Sequence, residues 1–117
     1  MKLLDWLTGK FVDEFAKGLA QRVAKRYPPT LESGGDRKIS AKGISNILES
    51  VYQTAVEFKR DKELGFVRTA KLGNTFRWEL KELGYSEKFI EVATEGLIVY
   101  LTRKPVADKP TESREKK

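Results

Sequence analysis

The sequence predicts an all-α domain, an irregular bundle of four or five helices followed by a disordered charged tail. Two observations carry that expectation. Apolar residues recur at three- and four-residue steps along most of the chain, the spacing that gathers side chains on one face of a helix. Between those runs stand residues that start and stop helices: Pro28-Pro29, Ser40, Gly84 and Ser86. A chain of 117 residues, 39% hydrophobic and 34% charged, makes one domain with one modest core. We place that domain over residues 1–102 and the tail over 103–117.

Residues 3–26 read as a first helix, in which Leu3, Leu7, Phe11, Phe15, Leu19 and Val23 recur every four residues. That step exceeds the helical repeat and overshoots by about 40° each time, so the apolar stripe rotates along the rod. Either a straight helix touches different partners along its length, or it breaks near Gly9 or Gly18; we adopt the straight helix. Arg22, Lys25 and Arg26 suit the negative end of the helix dipole, and Pro28-Pro29 prevents continuation. Residues 27–39 then read as a long loop, of the kind that is either a linker or a working part.

Ser40 is placed as an N-cap, with Ile39 and Ile44 spaced as a staple across it. The second helix carries Ile44, Leu48, Val51, Ala55 and Phe58 on one face, widened by Ile47 and Tyr52. We expect this helix to be the central rod around which the others pack. It loses its apolar face in the run Lys59-Arg60-Asp61-Lys62-Glu63, and Gly65 is the expected stop.

Helical spacing resumes with Phe66, Val67 and Ala70, then Leu72, Phe76, Leu80 and Leu83. Gly73-Asn74 either divides this stretch into two helices or kinks one, and the sequence does not choose. Gly84 suits the left-handed position after a helix, with Leu80 and Tyr85 placed for the accompanying apolar contact; Ser86 caps the next helix, with Tyr85 and Ile90 as its staple. The last helix runs from Ser86 to about Thr102. Its small residues Ala93 and Gly96 let a neighbour come close, and we expect that neighbour to be the Ile44 to Phe58 helix. The stretch Leu97 to Leu101 has strand-like content, but its helical surroundings argue against a strand.

The chain has neither Cys nor His, which removes thiolate nucleophiles, disulfides, the usual zinc ligands and the usual general base. No cofactor or metal site is expected. Absence of Cys fits a reducing compartment, and a cytoplasmic protein is the expectation, although a secreted protein without bridges would look the same. The N-terminus meets Asp5, Asp13 and Glu14 too early for a signal peptide, and nothing approaches a spanning helix. Net charge is +6, but half of that excess lies after residue 102, where Arg103, Lys104, Lys109, Arg114, Lys116 and Lys117 outnumber Asp108, Glu112 and Glu115. The body is therefore only mildly basic.

Three features are candidates for function. Ser33-Gly34-Gly35-Asp36-Arg37-Lys38 has the glycines and cations of an anion site before a helix N-terminus, without the spacing of a P-loop. A flexible connector is the ordinary reading; an anion would be held by Arg37, Lys38 and the amides after Ser40. Trp78, with Arg77 and Lys81 near it, could stack on a base or anchor a protein, against the ordinary expectation that a large aromatic fills a buried face. Glu87, Glu91 and Glu95 form a row on the last helix, either a solvated face or a docking strip for a basic surface, be it a partner's or the Arg22-Lys25-Arg26 end of the first helix.

The leading functional expectation is a non-catalytic interaction module, an adaptor or accessory subunit working through a helical face on a protein partner or on a second copy. The alternative is nucleic-acid binding through Arg22, Lys25, Arg26, Arg37, Lys38, Arg77 and Trp78. A third reading places Leu3, Trp6, Leu7, Phe11 and Phe15 on a membrane surface, but docking of those residues on their own domain or in a dimer explains them without a lipid.

Overall fold

A computed structural model describes residues 9–34 and 39–103. Among these it contains five helices: α1 (Lys10–Arg26), the short α2 (Pro29–Glu32), α3 (Ala41–Lys62), α4 (Phe66–Leu83) and α5 (Glu87–Thr102). No strand occurs among the described residues, and Leu97 to Leu101 is helical. The all-α expectation holds.

The four long helices ring a shared core rather than enclosing a central rod. α4 packs on α1 and on α5, and α3 packs on α5 and on α1. The Ile44 to Phe58 face, expected at the centre, thus forms one side of the ring. Its Leu48, Val51, Tyr52 and Ala55 are buried, while Ile44, Ile47 and Phe58 are packed only partly against the core. The interior is shared more evenly: Val12, Leu19 and Val23 of α1, Leu72, Phe76 and Leu80 of α4, and Ile90 and Leu97 of α5 have essentially no exposed surface. Burying one such side chain is worth about 1.5–3 kcal/mol.

Helix ends differ from expectation in instructive ways. A continuous helix over 3–26 does not pass through Gly9, whose φ of 78° is left-handed; α1 begins after it. Gly18 stays inside α1 without a break. Residues 3–8 of that expectation, with Trp6, lie outside the described residues. Within α1 the buried stripe departs from the four-residue series. Val12, Ala16, Leu19 and Val23 are buried, leaving Phe11 and Phe15 on the flank, where Phe15 stacks on Phe58 of α3 at 3.7 Å between ring centroids.

The expected long loop after Tyr27 contains α2, begun by Pro29 at the first helical position, where a missing N–H is harmless. Ser40 caps α3 as expected, its Oγ accepting from the Gly43 amide at 3.0 Å. Gly65, however, does not end α3. Glu63 takes the left-handed residue at φ 51°, and Gly65 is the N-cap of α4. Gly73 neither divides nor ends α4, which runs unbroken, and Ile98 of α5 fills the space a Cβ at Gly73 would need.

The α4–α5 corner follows the sequence closely. Gly84 is left-handed at φ 105°, the Tyr85 amide donates to the Leu80 carbonyl at 3.3 Å, and Ser86 Oγ accepts from the Phe89 amide at 3.1 Å. α2 is fastened to the same corner. The Glu32 carboxylate accepts from the Ser86 amide at 2.9 Å and from the Ser86 hydroxyl, and the Tyr85 phenol donates to the Tyr27 carbonyl.

Candidate functional site

The α4–α5 corner sets two antiparallel helices side by side, Gly73 of α4 against Ile98 of α5. Where they diverge at the surface, a groove of about 220 Å³ is lined by Asn74, Arg77, Trp78 and Lys81 from α4 and by Glu87 and Ile90 from α5. Trp78 is not a core residue. It is 55% exposed, against the expectation that it fills a buried face, and Lys81 Nζ stands 5.6 Å from the centre of its ring, within reach of a cation–π contact. The reason is geometric: Leu72, Phe76 and Leu80 already turn the buried side of α4 inward, and Trp78 lies more than a quarter turn away.

Phe66 is 85% and Val67 77% exposed, so the first apolar residues of α4 also face outward. Val92 and Val99 of α5 are exposed as well. The sequence pattern had placed Phe66 and Val67 in an apolar stripe. A signal was available, since the apolar positions on α4 and α5 span more of the circumference than two neighbouring helices can cover.

Glu87, Glu91 and Glu95 are exposed along the flank of α5, and Glu87 enters the groove. No ion pair engages these glutamates, Arg77 or Lys81 among the described residues, so the row does not dock on the Arg22-Lys25-Arg26 end of α1. No group of three or more carboxylates among the described residues is placed to hold a metal.

Arg22, Lys25 and Arg26 are exposed, but Arg22 and Arg26 continue the Phe11–Phe15 flank that meets α3. The flank of α1 facing α4 carries Asp13 instead, which accepts from the Thr75 hydroxyl at 2.7 Å and pairs with Lys71 at 3.4 Å. The fold therefore brings Arg77 and Trp78 together and leaves the α1 cations on another side. Arg37 and Lys38 lie outside the described residues; of the amides after Ser40, that of Gly43 is already occupied by the cap.

Burial makes three phenols harder to ionise. Tyr52 is held well above the ordinary tyrosine range by desolvation and secondarily by Tyr100; Tyr85 likewise by desolvation, then by Tyr27 and Glu32; and Tyr27 by desolvation, then by Glu32. Each stays protonated and structural at neutral pH. Compared with known protein families, with characterised proteins and with solved structures, the chain matches none. No helix among the described residues is long and apolar enough to cross a membrane.

Proposed function

We propose that the protein is a non-catalytic interaction module, an adaptor or accessory subunit, that works through the outer face of the α4–α5 pair. One observation carries the reading. Among the described residues the exposed large apolar side chains, Phe66, Val67, Trp78, Leu83, Val92 and Val99, all belong to these two helices. Exposed apolar residues scattered over a surface need no explanation, but here they are confined to one pair of helices, with Trp78 in the α4–α5 groove and Phe66 and Val92 in neighbouring grooves beside α3, which supports contact along this pair. A half-open indole flanked by cations is the residue type that anchors such contacts.

The test is affinity capture with the full chain and with Trp78→Glu, alongside Gln53→Glu on the exposed side of α3 as a control. Species retained by the natural chain and by the control should be lost with Trp78→Glu, whose melting temperature should stay close to the parent's because Trp78 is not part of the core. Identical retained sets for all three chains would sink the proposal.

Nucleic-acid binding is the second reading, favoured by Lys81 above the Trp78 ring with Arg77 beside it. It expects retention on a polyanion column that falls steeply with salt and that Arg77→Glu/Lys81→Glu removes while deletion of residues 103–117 does not.

A further inference from the structure

We infer that the end of the bundle where α4 begins docks on an anionic bilayer surface, with Phe66 and Val67 entering the lipid. The inference goes beyond the proposed interaction surface, whose anchor Trp78 stands eleven residues past Val67, about 16 Å along the α4 axis. Four helix ends meet here. α3 ends and α4 begins on either side of Leu64 and Gly65, and the last turn of α5 lines one groove with Phe66 and Thr69. α1 starts beside Lys71, and Arg68 Cζ lies 5.8 Å from the centre of the Phe11 ring.

Phe66 and Val67, 85% and 77% exposed, are the least covered of the exposed large apolar residues among those described. They stand on the first turn of α4, at the tip of the bundle. A deformable apolar layer covers such a tip without a matching cavity. Residues 1–8, with Leu3, Leu4, Trp6 and Leu7, join the same end at Gly9. In the sequence Phe11 and Phe15 belonged to that apolar sector; in the fold they pack beside Phe58, which leaves Phe66 and Val67 as the uncovered pair.

Cations dominate the surroundings of the tip. Two adjoining grooves of about 240 and 350 Å³, which share Lys59 and Leu101, are lined mainly by apolar residues and carry Lys59 and Arg60 as their only charges. The last turn of α3, the first of α4 and the end of α5 add Lys62, Arg68 and Arg103, against Glu63 and against Asp61, which pairs with Arg60 at 3.7 Å. α1 contributes Lys10 and Asp13, whose carboxylate is taken up by Thr75 and Lys71. Half of the net charge of +6 follows Thr102 and is therefore tethered at this end. An anionic headgroup layer complements these cations, and the hydrocarbon beneath it accepts Phe66 and Val67. A nucleic acid would complement the cations but gives the aliphatic Val67 nothing to enter.

The test is flotation of the full chain with vesicles of equal parts phosphatidylcholine and phosphatidylglycerol, beside vesicles of phosphatidylcholine alone. The natural chain should float with the anionic vesicles and not with the neutral ones, and salt should weaken the association. Phe66→Ser/Val67→Ser and Arg60→Glu/Lys62→Glu should each lower partitioning by roughly tenfold or more, whereas Trp78→Glu should float like the parent. These positions are exposed, and melting curves establish that the variants are folded. A sole indole at position 66, from Phe66→Trp with Trp6→Phe and Trp78→Phe, should emit at shorter wavelength and escape acrylamide on the anionic vesicles.

No flotation with anionic vesicles, equal flotation with neutral ones, a serine variant that floats like its parent, or an indole at position 66 that stays open to acrylamide overturns the inference. Retention on polyuridylate that charge reversal removes and the serine pair leaves intact, without flotation, overturns it in favour of nucleic acid. The two surfaces fail separately. Absence of flotation leaves the Trp78 surface standing, and protein capture indifferent to Trp78→Glu leaves the tip standing.

Discussion

The Tyr52 hydroxyl donates to the Ala93 carbonyl at 2.8 Å, and the same phenol occupies the space above Gly96, where a Cβ would stand 2.3 Å from Oη and 2.7 Å from Cζ. The small residues of α5 thus admit a ring from α3 rather than an unusually close backbone. Gly96→Ala forces the ring aside and breaks its hydrogen bond, an overpacking expected to cost about 1–3 kcal/mol, whereas Tyr52→Phe should cost about 1 kcal/mol. Denaturant midpoints measure both. A Gly96→Ala chain as stable as its parent would show that the ring does not sit there.

Gly73 presents the milder version of the same problem. A Cβ there would lie 2.4 Å from Ile98 Cδ1, the movable end of a side chain. Ile98→Val removes that methyl, so Gly73→Ala should be destabilising in the natural chain and stabilising, by up to about 1 kcal/mol from helix propensity, in the Ile98→Val background. A double-mutant cycle reads the change of sign; additive effects would contradict the contact.

Glu63 holds a left-handed conformation at φ 51° with its amide donating to the Arg60 carbonyl at 3.2 Å. Glycine adopts that region without the Cβ penalty of about 1–2 kcal/mol. Part of that gain is offset by the greater freedom of glycine in the unfolded chain. Glu63→Gly should raise stability by about 1 kcal/mol and the melting temperature by a few degrees. A lowered melting temperature would mean that the Glu63 side chain contributes more than its backbone strain.

Alkaline titration tests the buried phenols. Tyr52 and Tyr85 are raised from their ordinary value of 10.0, so the unfolded chain releases their protons first. Their contribution is complete below about pH 10 and is lost as pH rises from there toward the folded-state values. Melting temperature should therefore fall above pH 10, and less steeply in Tyr52→Phe, where one of the two phenols no longer titrates. Equal slopes for both chains would place Tyr52 in water.

Much of the fold was legible because its signals are local. Ser40, Ser86 and Gly84 act within a few residues of themselves, and each occupies the cap or turn that its chemistry predicts. Glu63 gave no signal, because nothing in a glutamate announces a left-handed residue and Gly65 nearby looked like the better stop. The arrangement of helices was not legible either. Periodicity identifies an apolar face but not its neighbour, so the broad stripe of α3 suggested a hub where the chain builds a ring. The same blindness hid the surface: Phe66, Val67 and Val92 are as apolar as Leu72, and only the placement of α1, α3 and α5 decides which of them meet water. Arg77, Lys81 and Trp78 were adjacent in sequence and stay together; Glu87 and Ile90 joined them only through the α4–α5 corner.

The ring also orders the events of folding. α3 and α4 follow one another after a short connection yet do not pack along each other, so closing that connection gains little by itself. α4 and α5 do pack together around an equally short turn, and their hairpin is the cheapest nucleus in loop-closure entropy. The N-terminal third must then return across a sequence separation of 62, as between Asp13 and Thr75, before the barrier is behind it. The inward side of that early hairpin is covered once α1 and α3 dock, whereas the apolar groups on its outward side stay uncovered in the finished fold.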